Sequence, residues 1–446
     1  MELTGKRVAR VAARLAVAGC AVALVATASA PAWGSARAHP ARTTASASGF
    51  PTGKVTLTLA TEDTSTLTPA LVKGFEKLHP NVTIQTQITS YTDYTAKIAL
   101  ELASSTPPDL SETVTLETPV KDHLLLNLDP YATEYGWTKS ISPYALAEYR
   151  MGSNLVAGSG PIYAVSSGFA LTGLFYNKKL MDKLGIMAPP ATLAEFSADL
   201  AKAKAAGVTG LEIAAEDGHA AFPVQQVADD YEPPNPVNNW IFGVKGSTFN
   251  LAGVRTGGNQ LVSWAKDGYI NSDADADALT QAVAEFNAGK ALFINDGNWD
   301  AYAYQKGLGN NVGFAAFPAA AAGGRYTAMV GGTAGYQISA KTQYPQVAAA
   351  FLNYSVSAAA APAVFASGNL PNVISAIKPV AGTLLAGVVK AWGQVEASDG
   401  LYGYFANAYP TSNTVFTQTT EELIGGKTTV PAFISTVQSA WAQSHG

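Results

Sequence analysis

Cysteine is all but missing: the single thiol of the 446-residue chain is Cys20, near the N-terminus. Everything beyond it therefore folds without a disulfide, a thiolate metal site or a cysteine nucleophile. Histidine is sparse and scattered, at positions 39, 79, 123, 219 and 445, which argues against a His-rich metal centre. Charge is scarce too. Charged residues make up 14% of the chain, the net charge is −5, and no Lys/Arg cluster follows the first fourteen residues, so nucleic acid is not an expected partner. There is no phosphate-cradling G-x-x-x-x-G-K-[ST] loop, no dinucleotide fingerprint, no G-x-S-x-G elbow and no His-Glu-x-x-His pair, and neither a cofactor nor a metal is expected. After the N-terminal region no stretch reaches the roughly 18 apolar residues of a membrane span.

The one basic cluster has its own explanation. Lys6, Arg7, Arg10 and Arg14 precede the apolar segment Leu15 to Ala28, and small residues and Pro then run to Ala36-Arg37-Ala38. This is the layout of a signal peptide over residues 1–38, with cleavage after Ala38 and with Ala28 and Ala30 as alternatives. Val17-Ala18-Gly19-Cys20 resembles a lipobox, in which Cys20 would be lipidated. Only five residues separate Arg14 from Cys20, however, and much of the apolar region lies beyond it, which favours plain secretion. The protein is thus expected outside the cell, free or tethered to the outer face of the membrane. Residues 39–53, rich in Ala, Ser, Thr and Pro, read as a flexible tether.

What is present points to a folded α/β protein. Hydrophobic residues are 48% of the chain, with 41 Gly and 24 Pro, and the length exceeds what one core usually organises, so two lobes are expected. Val55 to Ala60 alternates as a strand, Thr68 to Leu78 repeats apolar residues at helical spacing, Val82 to Thr89 is a second strand and Tyr91 to Ala103 a second helix. That rhythm predicts parallel pairing and a doubly wound sheet. Ile162 to Leu180 reads as two apolar strands broken at Ser166-Ser167-Gly168, either a hairpin or a crossing between lobes. Thr192 and Glu195 form a capping box, and Leu211 to Ala215 reads as a buried strand whose exit loop carries Asp217 and His219. Asp273, Asp275 and Asp277 alternate as in a calcium loop but lack its Gly and its closing Glu; they are expected to face a helix dipole instead.

The most informative stretch is Phe286 to Asp300. A helix end at Gly289 leads into the apolar run Ala291 to Ile294, and the turn formers Gly297 and Asn298 follow, then Trp299. In open α/β sheets ligands bind just past strand carboxyl ends, so this indole is a candidate binding side chain with polar neighbours around it, although a lone Trp more often serves packing. Glu62, Asp63, Glu112, Glu117, Asp217 and Asp300 are expected at sheet edges. They could serve as a glycosidase acid/base pair or simply hydrogen-bond sugar hydroxyls, depending on a separation that sequence does not give.

Several landmarks taken together resemble a family. They are Phe75-Glu76-Lys77-Leu78-His79-Pro80-Asn81-Val82, Pro108-Asp109, Leu125 to Pro130, Phe175-Tyr176-Asn177-Lys178-Lys179-Leu180, Phe286 to Ala291 with Gly297-Asn298-Trp299, and Ile338 to Lys341 with Phe351-Leu352-Asn353. In order and spacing they resemble the extracellular solute-binding proteins of bacterial ABC importers, in their carbohydrate-binding group, over about residues 54–444. The resemblance implies a periplasmic-binding-protein-like clamp of two α/β lobes, residues 54–166 with 334–374 and residues 170–330 with 379–446. Three interlobe crossings would lie near Val165 to Ala170, Gly331 to Gly335 and Asn372 to Lys378. It further implies capture of a mono- or oligosaccharide by a monomer that performs no chemistry, and delivery to the permease subunits of an ABC transporter. The ligand-binding set it suggests is Trp299 as sugar platform with Asn298 beside it, Glu62 and Asp63 after the first strand, Glu117, Asp217 and His219, Gly331 and Gly332 at a crossing, and Tyr404 in the tail. His219 stands where an aromatic is usual in the family. The rival readings are a secreted glycoside hydrolase or lyase, and a binder of a polyol or glycerol-phosphate-type solute.

Overall fold

The computed structural model describes residues 50–445 apart from 63–65, 115, 142, 154 and 410. The expected signal peptide with Cys20, residues 39–49 of the expected tether, and the candidate Asp63 lie outside the described residues. The last part of that tether is anchored: Phe50 stacks on His79 at 4.5 Å, and the Asn81 amide donates to the carbonyls of Pro51 and Gly53.

Strand β1 (Val55–Thr61) buries Val55, Leu57 and Leu59 at alternate positions, and pairs in parallel with β2 (Val82–Ile88) and β3 (Leu110–Glu112). Helices Leu67–Leu78 and Tyr91–Ala103 make the crossovers. Their apolar stripes, Leu71, Val72 and Phe75 in one and Tyr94, Ile98 and Leu102 in the other, are buried as the spacing requires. The chain continues through a small hairpin, β4 (Arg150–Met151) and β5 (Ala157–Ile162), then β6 (Ala164–Asn177), β7 (Thr209–Glu212), β8 (Ala291–Gly297), β9 (Val312–Ala315), β10 (Ala328–Ile338), β11 (Leu370–Pro371) and β12 (Leu401–Tyr402). The main sheet runs β2-β1-β3-β10-β6-β8-β7, with β9 and β11 also on β6 and β12 on β10. Parallel pairing holds toward both ends, β1 with its neighbours and β7 with β8. In the middle, β6 and β10 run antiparallel to each other and to β3 and β8.

The expected break at Ser166-Ser167-Gly168 is not a break: β6 passes through it as one strand. Small residues serve close packing here rather than a turn, because a Cβ on Gly168 would lie 2.3 Å from the Leu370 carbonyl. The Gly331-Gly332 pair likewise sits inside an unbroken β10. At Thr192 the capping box forms as read, with Glu195 N–H donating to Thr192 Oγ1 and Thr192 N–H to Glu195 Oε2, both at 3.2 Å. The aspartates at 273–277 depart from expectation. Helix Leu279–Asn287 has no acid in its first turn, and Asp217, from another loop, accepts from Leu279 N–H at 2.6 Å. Asp277 is buried, and burial followed by the neighbouring Asp273 charge pushes it up to about 6.

With no disulfide available, the body is held by its cores. One gathers around β1, β2, β3, β6 and β10. Another is dense in aromatics, with Trp240 meeting Phe249 at 4.7 Å and Trp441 at 6.3 Å. Such fully buried side chains stabilise by about 1.5–3 kcal/mol each. In this second core helices Ala221–Tyr231 and Ala252–Lys266 approach backbone to backbone at Gly253 and Gly257, where a Cβ would lie 2.4 Å from the Ala228 carbonyl and 2.1 Å from that of Val224. Gly257→Ala is therefore expected to lower the melting temperature, since overpacking against a carbonyl costs about 1–3 kcal/mol and outweighs the roughly 1 kcal/mol gain in helix propensity. Gly393→Ala, in helix Leu384–Ala397 with open space around the new methyl, should raise it. A thermal melt in which both variants move the same way would contradict the close contact.

Candidate functional site

The β8 strand ends at Gly297, a 3₁₀ turn Asn298–Asp300 follows, and helix Ala301–Leu308 begins. Glycine is required at 297 by close approach: a Cβ there would lie 2.0 Å from the Trp299 ring, which folds back over the strand end. Trp299 is half-buried and belongs to a group of three rings. Phe222 stands at 6.2 Å and 79°, Tyr404 at 6.3 Å and 52°, and these two are 6.1 Å apart. Gly331 lets the Tyr404 ring lie against β10, since a Cβ would sit 3.0 Å from its Cε2.

Carboxyl groups edge these rings. Asp296, with a fully buried side chain, accepts from Tyr304 OH at 2.6 Å and from Gly297 N–H at 2.7 Å. His219 Nε2 is 3.4 Å from Asp296 Oδ1, and its ring packs on Phe222 at 4.6 Å. Burial, then the charge of Asp296 and a hydrogen bond shared with it, hold Asp300 well above the usual carboxylate range; the indole of Trp299 opposes, and the charge of Glu62 adds to the rise. Glu148, at the end of helix Pro143–Glu148, accepts from Gly332 N–H at 2.8 Å. Burial pushes it up to about 8 against that hydrogen bond. Tyr404 is held protonated by burial and by the charges of Glu148 and Asp296.

The structure thus brings Trp299, Tyr404, His219, Gly331 and Gly332 together, with Glu62 in electrostatic reach of Asp300. Other candidates lie elsewhere or face inward. Asn298 is fully buried, accepting from Leu171 N–H and donating to the Gly368 carbonyl, both at 2.7 Å. Asp217 is exposed and spent on the helix start at Leu279. Glu117 opens helix Glu117–Lys121, and no described contact joins it to the rings. Sequence reading missed Phe222, Asp296 and Glu148. Phe222 carried a signal, three residues past His219 where helix Ala221–Tyr231 begins; Glu148 carried none. Among the described residues no group of three or more His, Cys, Asp or Glu side chains is arranged to hold a metal ion.

An aromatic cluster at the ends of sheet strands, edged by acids and set beside two long strands common to the whole sheet, defines the class: an α/β binding protein. The sequence pattern of the bacterial extracellular solute-binding proteins matches residues 60–362, and the chain belongs to that family. No curated protein matches it in sequence. Solved structures share its fold along nearly their whole length. A chitin oligosaccharide binding protein is 22% identical with a TM-score of 0.71, over 88% of this chain and 99% of that one. The GacH receptor of Streptomyces glaucescens, described in complex with acarbose, is 20% identical with a TM-score of 0.69, over 87% and 98%. RafE of Streptococcus pneumoniae, described with raffinose, is 17% identical with a TM-score of 0.66, over 88% and 100%. The fold is therefore the two-lobed, periplasmic-binding-protein-like one.

Glu148 gives a pH signature. Its folded value near 8 lies above the ordinary 4.5, so its stabilising contribution is full below about 4.5 and is lost as pH rises through 8. The melting temperature of the wild type should fall between about pH 5 and pH 8.5 more than that of Glu148→Gln, whose side chain stays neutral and keeps an acceptor for Gly332. Equal falls would show that this carboxyl is already ionised in the folded state.

Proposed function

We propose that the protein captures a carbohydrate between its lobes outside the cell and delivers it to the permease of an ABC importer, performing no chemistry itself. The observation that carries this reading is the Trp299, Phe222 and Tyr404 group at the strand ends. Aromatic faces stack on the C–H faces of a pyranose while acids take its hydroxyls, and water is excluded on closure. Family membership and the oligosaccharide ligands named for three structural relatives support it.

In this reading the chain is a monomer, exported by residues 1–38 and left free or anchored through Cys20. Residues 54–166 with 334–374 form one lobe, and 170–330 with 379–446 the other. Closure bends the chain at the three crossings, two of them in β6 and β10, and a ligand shifts the clamp by binding its closed form more tightly.

Trp299→Ala should weaken sugar binding at least tenfold, about 1.4 kcal/mol, with the cooperative melt preserved. Calorimetry with a sugar first identified by thermal shift measures it, and unchanged affinity would remove Trp299 from the site. The same incubations should release no reducing ends; turnover would make the protein an enzyme.

A further inference from the structure

A polar cavity lies away from the aromatic group. It encloses about 390 Å³ between β9, the end of β6 and the first half of helix Leu384–Ala397. Its place along β6 separates it from the rings. Thr172 lies opposite Gly297, at the strand end that carries Trp299, whereas Tyr176 in the cavity wall lies opposite Phe293. Four residues of strand put these two points roughly 13 Å apart. Close backbone approach fixes the walls: a Cβ on Gly387 would lie 2.5 Å from the Phe314 carbonyl, and one on Gly313 would lie 2.2 Å from the Tyr176 ring. The lining residues with strong donors are Lys178, Lys390, Tyr176 and Gln394.

Beyond residue 49 the chain carries 22 Lys and Arg against 32 Asp and Glu, yet no residue lining this cavity is acidic. The stretch that supplies β9 and most of helix Leu384–Ala397 accounts for that, since no Asp or Glu occurs between Asp300 and Glu396. Asp182, one turn after Lys178 on helix Lys178–Lys183, is not part of the lining. Lys178 Nζ is held in place by the carbonyls of Asn310 and Gly382, at 3.1 and 3.4 Å. Lys390 is exposed and meets no acceptor among the described residues. Outside the polar hollow is an apolar edge: Met187 and Val380, each two residues from a wall residue, Pro189 and Gly382, stand 96% and 70% exposed.

We propose that this cavity binds a phosphate group, free or on a lipid headgroup, at a site separate from the aromatic group and independent of what that group binds. Two ammonium groups and a phenol with no acid among them match the charge of a phosphate ester, about −1.5 to −2, and its acceptor oxygens. A carboxylate brings a single charge and a neutral sugar none. Lys178 is the preset contact, Lys390 reaches the anion from its helix, and the Tyr176 hydroxyl donates a further bond. On a lipid, the apolar part beyond the phosphate meets Met187 and Val380.

Two measurements on the full chain test this: calorimetry with inorganic phosphate, and sedimentation with vesicles of phosphatidylglycerol or phosphatidylcholine. Lys390→Gln is the variant of choice, because no described contact of the fold depends on its ammonium. With free phosphate as the source, wild type binds inorganic phosphate and Lys390→Gln loses about tenfold in affinity, the worth of one charge-assisted hydrogen bond, while Trp299→Ala binds it as wild type does. With lipid as the source, phosphatidylglycerol vesicles carry down more wild type than Lys390→Gln, and phosphatidylcholine vesicles carry down both alike; residues 1–38 are common to the two chains and cancel. Either difference supports the site and names its source. Equal behaviour of wild type and Lys390→Gln in both measurements overturns the proposal, as does loss of phosphate binding in Trp299→Ala, which would place the anion at the rings.

Discussion

The pairing of β6 with β10 is the constraint on which the rest depends. The ladder runs from Val330 opposite Leu171 to Gln337 opposite Ala164, and it must stay extended through a crowded place. Leu370 O presses on Gly168, and Tyr149 OH on Gly332 and Gly335, so no side chain fits at those positions. Backbone groups left over along these strands cannot stay unpaired in such surroundings, and polar side chains meet them. Asn298 accepts from Leu171 N–H, Glu148 from Gly332 N–H, Ser166 donates to the Thr333 carbonyl, and Asn372 donates to that of Ser166. Two of these, Asn298 and Glu148, adjoin the aromatic group. The site is thereby hung on the same two strands that hold the sheet together.

The local signals in the sequence read well because they rest on local physics. The β1 alternation, the helical stripes and the Thr192 capping box each follow from a period or a hydrogen bond within a few residues. The misreadings came where tertiary contact overrides that grammar. Ser166-Ser167-Gly168 has the composition of a turn, but its smallness answers a neighbour some two hundred residues away, at Leu370. The aspartates before Leu279 look like helix-start acids, yet Asp217 reaches that start first, and Asp277 is drawn inside beside Asn271. Neither distant partner leaves a trace in the stretch it affects.

The site divides the same way. Trp299 was legible because a strand, a Gly and a turn place it at a sheet edge, and that grammar is contained in ten residues. Asn298, with the right chemistry next door, points inward, since two backbone groups needed it. Phe222 sits beyond a loop that sequence did identify. Glu148 and Asp296 were invisible as site members: one lies on a six-residue helix with no motif, the other reads as a turn residue. Only the fold puts their charges against Tyr404.

The groups at the site are unequally satisfied, and the inequality has a direction. Asp296 is fixed, with Tyr304 OH on one oxygen and Gly297 N–H on the other. Asn298 has both ends of its amide engaged. Asp300 and His219, closer to the rings, keep buried polar atoms without partners, a condition that costs about 1–3 kcal/mol per group. A chain selected for stability alone would fill these positions with apolar side chains of similar size. Rigid groups behind and unsatisfied ones in front are what a binding site needs: the geometry is set before the ligand arrives, and the missing hydrogen bonds are returned when it does. The free energy withheld from the empty fold thus becomes a preference for whatever molecule completes those bonds.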